Sequence, residues 1–335
     1  MPRGLTYRRP TPVRTGGPPG GHAVPGCRSA ARRAGSPPLC PATPPRATGP
    51  PPRGSVGPVT DAAPTTSPLR ALWGATHPGP TLVVTVLSLA LGIAAGLEPW
   101  RLGLLVVAVF AGQVSVGLSN DAIDGARDAA VGRTDKPIAG GALTPERALA
   151  VAVGALVVAL LLSAPLGAAL VAAHAIALAS AWAYNAGLKS TPLSIVPFVL
   201  SFGLFPSFAT LAGPDPALAA PWAALAGAAL GAAVHLTNVV RDLDDDRRTG
   251  VRGLPHRLGA RGSVLIAAAG IVVGALAVLL GPTGGADAVG AVFFAAVVVV
   301  AVVTAVLVLV RPPGRAVFQM TMLAALLLAA QLVIA

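Results

Sequence analysis

From position 80 onward the chain alternates long apolar runs with short polar gaps. Nine runs stand out, at roughly 80–97, 101–119, 146–163, 166–185, 193–212, 218–240, 262–281, 286–310 and 316–335. Each falls in the range of about 17–25 residues that an α-helix needs to cross a bilayer. Gly, Pro and charge clusters punctuate them. In lipid a backbone must satisfy its own hydrogen bonds, so such runs predict helices. The expected fold is all-α: a multi-pass membrane bundle of about nine transmembrane helices around a central cavity, spanning residues 69–335.

Residues 1–68 carry no hydrophobic periodicity and hold 17 of the 33 prolines. A segment this poor in apolar surface has nothing to bury, so a disordered Pro/Gly/Arg-rich tail is expected. It lacks the apolar core of about 7–15 residues that marks a secretory signal peptide. The alternative is a mis-called start, with translation beginning near Val59.

Composition narrows the class. Hydrophobic residues make up 54% and charged residues 11%, against about 25% charged in soluble domains. That excludes an ordinary soluble protein. The net charge of +11 is spread unevenly: ten of the 24 basic residues lie in the first 70 positions. Of the rest, alternate gaps between runs hold 13 and the opposite gaps only Arg101. This asymmetry predicts a protein of the cell (inner) membrane with its N-terminus and basic gaps cytoplasmic. No continuous basic face exists, which argues against nucleic acid as a partner. Cys27 and Cys40 are the only cysteines and form no disulfide framework or metal-ligand spacing.

The 13 acidic residues cluster, and this changes the picture most. Asp121, Asp124 and Asp128 form one group; Asp242, Asp244, Asp245 and Asp246 form another. Both lie where an apolar run reaches the cytoplasmic side. A carboxylate at the bilayer centre costs roughly 2.5–3.5 kcal/mol, so acids in or beside spans are functional candidates by default. Asp121, Asp124 and Asp128 stand at i, i+3 and i+7, one helical face that Asn120 extends. Asn238, Asp242 and Asp246 repeat at i, i+4 and i+8. Two such rows facing each other would repel unless a cation lay between them. Carboxylate oxygens suit Mg²⁺, which is usually held by one or two carboxylates plus substrate phosphates. Arg127, Arg133, Lys136 and Arg241, with Arg252 and Arg257 beyond, supply the fork-shaped and point-charge donors that bind a diphosphate. The plainer explanation is solvated loop acids paired with nearby arginines. One acidic loop alone would favour it; two loops with matching helical spacing on one side do not.

The stretch Asn120-Asp121-Ala122-Ile123-Asp124-Gly125-Ala126-Arg127-Asp128 resembles the NDxxDxxxD signature of UbiA-type intramembrane prenyltransferases. Asn238-Val239-Val240-Arg241-Asp242-Leu243-Asp244-Asp245-Asp246 resembles that family's second motif, NxxRDxxxD, and Arg247–Gly259 looks like its following loop. The likeness covers about residues 70–335, including the nine-run layout. It implies an isoprenyl diphosphate donor, an apolar acceptor that is aromatic or a quinone precursor, and Mg²⁺ as cofactor, all within the membrane lipid. It implies catalytic Asp121, Asp124, Asp128, Asp242 and Asp246, with Asp245 joining them as a metal ligand. It implies substrate binding by Asn120, Arg127, Arg133, Lys136, Tyr184, Lys189, Asn238 and Arg241. The family's Tyr-x-x-x-Lys pattern is stretched here: Tyr184 and Lys189 are five apart.

Other polar and aromatic residues are weaker candidates. Phe198, Phe202 and Phe205 share one face, with Phe208 beyond, as a cavity stripe or as plain packing. Gln113 and His235 are candidate acceptor contacts or buried structural polar groups. Asp135 is a candidate loop ligand. Asp215 and Asp287 read as solvated loop charges, and His174 has no legible role. Three alternatives share or replace the reaction: polyprenyl transfer to a sugar or glycerol phosphate, a membrane terpene synthase, and an ion-coupled transporter. The last is disfavoured because the acids sit at one rim rather than at the midplane.

Overall fold

A computed structural model describes residues 67–240, 243–311 and 314–335. The expected tail over residues 1–66, Arg241 and Asp242 lie outside the described residues, as do the side chains of Asp244, Asp245 and Arg315. Among the described residues all regular structure is helical: α1 (Pro68–Ala75), α2 (Pro78–Ala94), α3 (Pro99–Ala130), α4 (Pro145–Ser163), α5 (Ala168–Asn185), α6 (Val196–Leu211), α7 (Pro221–Val240), α8 (Leu243–Arg248), α9 (Leu254–Leu280), α10 (Ala288–Val310) and α11 (Arg315–Ile334). Short 3₁₀ turns occupy Ala164–Leu166 and Leu188–Ser190.

The helix starts are written in the sequence. Helices α1, α2, α3, α4 and α7 open on a proline, whose fixed φ and missing N–H suit a first helical turn. Ser67 and Thr144 accept from the backbone N–H groups of Arg70 and Arg147. Asp287, expected to be a solvated charge, caps α10 by accepting from the Gly290 N–H at 2.6 Å.

Each of the nine apolar runs becomes one helix, α2–α7 and α9–α11. Among the described residues seven helices are long and apolar enough to cross a membrane, and the bent pair α1–α2 raises the number to eight. Helix α6 has 16 residues, with Pro206 inside. At about 1.5 Å per residue it falls short of the roughly 30 Å hydrocarbon core. Nine full spans is therefore an approximate count. Helices α1 and α8 were not legible as apolar runs, because one is too short and the other is charged.

Packing separates an inner and an outer surface. Leu170, Leu236, Ile271, Val297 and Leu328 are buried in the main core. Gly227 and Gly231 of α7 lie against the backbone of Phe202 and Phe198, so α6 and α7 pack closely. On α10, Val297, Ala301, Thr304 and Val308 are buried, while Val299, Val303, Val306 and Val310 are exposed. Two apolar faces on one helix, one inward and one outward, mean that the outer face meets lipid. The chain is an integral membrane protein.

Candidate active site

Helix α3 does not stop where its apolar run ends at position 119; it continues to Ala130 and carries the first acidic row. That continuation is supported by a small apolar cluster. Ala71 and Ala75 of α1 pack with Leu118, Ile138 and Leu143. The loop after α3 thus folds back beside the helix. Asp121, Asp124 and Asp128 are consequently 2%, 5% and 5% exposed.

Each carboxylate has a cationic or hydrogen-bonding partner. Lys136, on the returning loop, donates to Asp121 Oδ1 at 3.0 Å and to Asp128 Oδ2 at 2.8 Å. Arg127 donates to Asp124 Oδ2 at 2.9 Å, and Lys189 binds Asp124 Oδ1. Asn120 donates to Asn185 Oδ1 at 3.1 Å and more weakly to Asp124 at 3.4 Å. Asn185 in turn donates to Ser119 Oγ and the Val116 carbonyl. His77 donates from Nε2 to Asp121 Oδ1 at 2.9 Å. Three buried anions would be costly alone; three cationic side chains among them remove most of that cost.

The two lysines differ. Burial lowers the pKa of Lys136, but the Asp121 and Asp128 carboxylates outweigh it and hold the ammonium above its ordinary value. Burial of Lys189 dominates instead: Asp124 opposes it, Arg127 and Lys136 add to it, and the pKa is lowered.

Lys189 reaches Asp124 despite the stretched spacing from Tyr184. Helix α5 ends at Asn185, and Gly187 with φ 141° turns the chain into the Leu188–Ser190 turn. Tyr184 does not follow it. Its ring packs edge-on against Phe198 at 5.1 Å and His235 at 5.7 Å.

The second row is only partly visible. Helix α7 is described as far as Val240 and α8 over Leu243–Arg248, on either side of Arg241 and Asp242. Asn238 is exposed, and Asp246 lies 3.4 Å from His256 Nε2. The expected face from Asn238 to Asp246 runs through Arg241 and Asp242 and so lies partly outside the described residues. The loop after this row does meet the first site. A Cβ on Gly253 would lie 2.5 Å from the Lys189 carbonyl oxygen. The next N–H, of Leu254, donates to Ser194 Oγ at 2.9 Å, and Ser194 pairs with His235 on α7 at 3.0 Å. Lys189 thus sits between the end of α3 and the start of α9.

The remaining candidates scatter. Arg133 pairs with the exposed Asp135 at 3.3 Å. Both line a cavity of about 280 Å³ with His77, Asp121 and Lys136. The phenylalanine stripe splits: Phe198 joins Tyr184 and His235, whereas Phe208 packs on His174. His174 pairs with Ser163 at 2.9 Å, a buried structural contact. Gln113 is half-buried and Asp215 exposed. His77, Asn185 and Ser194 were missed. Their partners lie 41 to 69 residues away, and only the Pro after His77 hinted at a chain break there.

Residues 81–331 match the UbiA prenyltransferase family. The chain belongs to that family. It is a prenyltransferase, as the resemblance implied. Over 188 residues it is 31% identical to the digeranylgeranylglyceryl phosphate synthase of Natronomonas pharaonis, covering 55% of this chain and 67% of that protein. The apo structure of a UbiA homologue from Aeropyrum pernix K1 is similar with TM-score 0.61 and 19% identity, covering 74% of this chain and 96% of the other. A UbiA homologue from Archaeoglobus fulgidus bound to DMAPP and Mg²⁺ is similar with TM-score 0.61 and 14% identity, covering 79% and 99%. These two structural likenesses establish the UbiA fold.

Proposed function

We propose that this enzyme transfers a prenyl group from an isoprenyl diphosphate to an apolar aromatic or quinone-precursor acceptor, with Mg²⁺ as cofactor, at the cytoplasmic end of the bundle in the cell membrane. The observation that carries the reading is the buried row Asp121, Asp124 and Asp128 with Lys136, Lys189 and Arg127 laid against it. The donor set fits Mg²⁺. Its ligands are all hard oxygens, and Oδ2 of Asp121 takes no partner among the described residues. Among the described residues no three metal-donor side chains converge into a closed cage.

In this reading Asp121, Asp124 and Asp128 hold the metal, with Asp242, Asp245 and Asp246 assigned to it from the second motif. When bound, Mg²⁺ neutralises negative charge on the diphosphate and so makes it a better leaving group. Lys136, Lys189, Arg127 and Arg133 exchange carboxylate partners for phosphate oxygens and hold the departing group. Asn120, Asn238 and Arg241 complete the polar rim. The allylic C–O bond breaks with its electron pair leaving on the diphosphate. The acceptor's nucleophilic atom bonds to the allylic carbon, and the acceptor then loses a proton to solvent. The Tyr184, Phe198 and His235 rings pack on one another, and in this reading that aromatic cluster borders the site of an apolar, flat acceptor.

A second reading is transfer to a glycerol phosphate, favoured by the Natronomonas relative. The purified enzyme, given isoprenyl diphosphates with Mg²⁺ and either hydroxyaromatic acids or glycerol phosphates, separates the two by product mass. Product from neither class, with intact donor recovered, would remove both.

A further inference from the structure

Helices α1 and α2 meet at a 67° bend. At that bend His77 has φ 55°, the only positive φ on a non-glycine among the described residues. Left-handed backbone is disfavoured for such a residue, so its surroundings must impose it. They are identifiable. The preceding Thr76 sits against α3 at Gly117, where any Cβ would collide with the Thr76 carbonyl oxygen. Thr81 donates to that same carbonyl at 2.8 Å, and Thr76 donates to the Trp73 carbonyl at 2.7 Å. Ala71 and Ala75 are buried against Leu118 and Ile138.

The seated bend aims the imidazole at the first motif. Nε2–H donates to Asp121 Oδ1 at 2.9 Å, the oxygen that Lys136 also takes at 3.0 Å. Two donors therefore fix one oxygen of this carboxylate, and neither engages Oδ2. The His77 side chain is 38% exposed and lines the cavity of about 280 Å³ beside Asp121. A carboxylate fixed through one oxygen loses less freedom when a cation takes the other.

We propose that His77 is a positioning residue, whose hydrogen bond sets Asp121 for the divalent cation and whose left-handed backbone exists to deliver that bond. The inference rests on the reading of the site given above. Glycine separates the two roles of the residue, because it accepts φ > 0 freely and removes only the imidazole. In His77→Gly the unliganded melting temperature in detergent is expected to match or exceed that of the wild type. The Mg²⁺ concentration needed for half-maximal turnover is expected to rise about tenfold. The same shift is expected in a readout without turnover, thermal stabilisation by Mg²⁺ plus inorganic pyrophosphate. His77→Asn, which also tolerates left-handed backbone, serves as the second variant if the glycine protein fails to insert. An unchanged Mg²⁺ dependence in both readouts overturns the proposal and leaves the site reading standing. No response of the wild type to Mg²⁺ and pyrophosphate overturns both.

Discussion

Lys189 and Asp124 are joined by an ion pair across 65 residues of sequence, and both are nearly buried. The Lys189 turn touches the end of α3 through its side chain and the start of α9 through its backbone. It couples the first acidic row to the loop after the second.

Removing the ammonium tests that role. Lys189→Met keeps the length and apolar stem but deletes the charge. One charge-assisted hydrogen bond to phosphate is worth about 1.5–3 kcal/mol, or roughly 10–100-fold. The KM for the prenyl diphosphate is expected to rise by that factor, measured by product mass at saturating acceptor. An unchanged KM would show that Lys189 serves only to neutralise Asp124.

Asp124→Asn preserves shape and removes the anion. Lys189 and Arg127 then face each other with no negative group between them. Removing one partner of a fully buried pair costs about 3–5 kcal/mol. Because Arg127 is 25% exposed, about half of that is expected here. Product formation is expected to fall at least 100-fold, roughly a loss of 2.7 kcal/mol of transition-state stabilisation, while the protein still inserts. A melting curve in detergent checks the first quantity and an activity assay the second.

How much of this was legible beforehand follows from the range of each signal. Hydrophobicity is local, so nine runs of apolar residues located nine helices, but not the polar extensions of α3 to Ala130 and of α9 back to Leu254. The i, i+3, i+7 spacing placed Asp121, Asp124 and Asp128 on one face of α3. Lys136 was expected at the site from its place beside the acidic row and Lys189 from the resemblance, but their particular carboxylates were not, because those pairings depend on how loops return. His77 was invisible because nothing about a His before a Pro announces a left-handed turn docked on Gly117. Asn185 was hidden for the same reason: its hydrogen bonds to Ser119 and Asn120 cross between helices. Nor did the aromatic stripe on α6 behave as one unit. Helical spacing tells which residues share a face, but Phe198 and Phe208 are far enough apart along α6 to meet different neighbours.

Chelation provides a test independent of any variant. With EDTA, turnover is expected to fall to background. Mg²⁺ or Mn²⁺ should restore it, and Ca²⁺ should restore much less, since it favours longer bonds and higher coordination than Mg²⁺. Full turnover in EDTA would mean that the cations of the cluster suffice to carry the departing diphosphate.

The last prediction concerns Gly253, which touches no substrate in the proposed mechanism. An alanine Cβ at this position would stand 2.5 Å from the Lys189 carbonyl oxygen and 2.8 Å from Ser194 Oγ. Backbone cannot rotate away as a flexible side chain can, so one of the two segments must move. Overpacking of this kind typically costs about 1–3 kcal/mol. The more telling effect is directional. If the Lys189 turn yields, the ammonium moves relative to Asp124, and Gly253→Ala should raise the KM for prenyl diphosphate as Lys189→Met does. If Ser194 yields instead, its bonds to Leu254 and His235 loosen, and the change should appear in acceptor KM through the Tyr184–Phe198–His235 cluster. Measuring both KM values in the Gly253→Ala protein decides between them. Wild-type values for both, with an unchanged melting temperature, would mean that the turn and the α9 loop are not mechanically coupled.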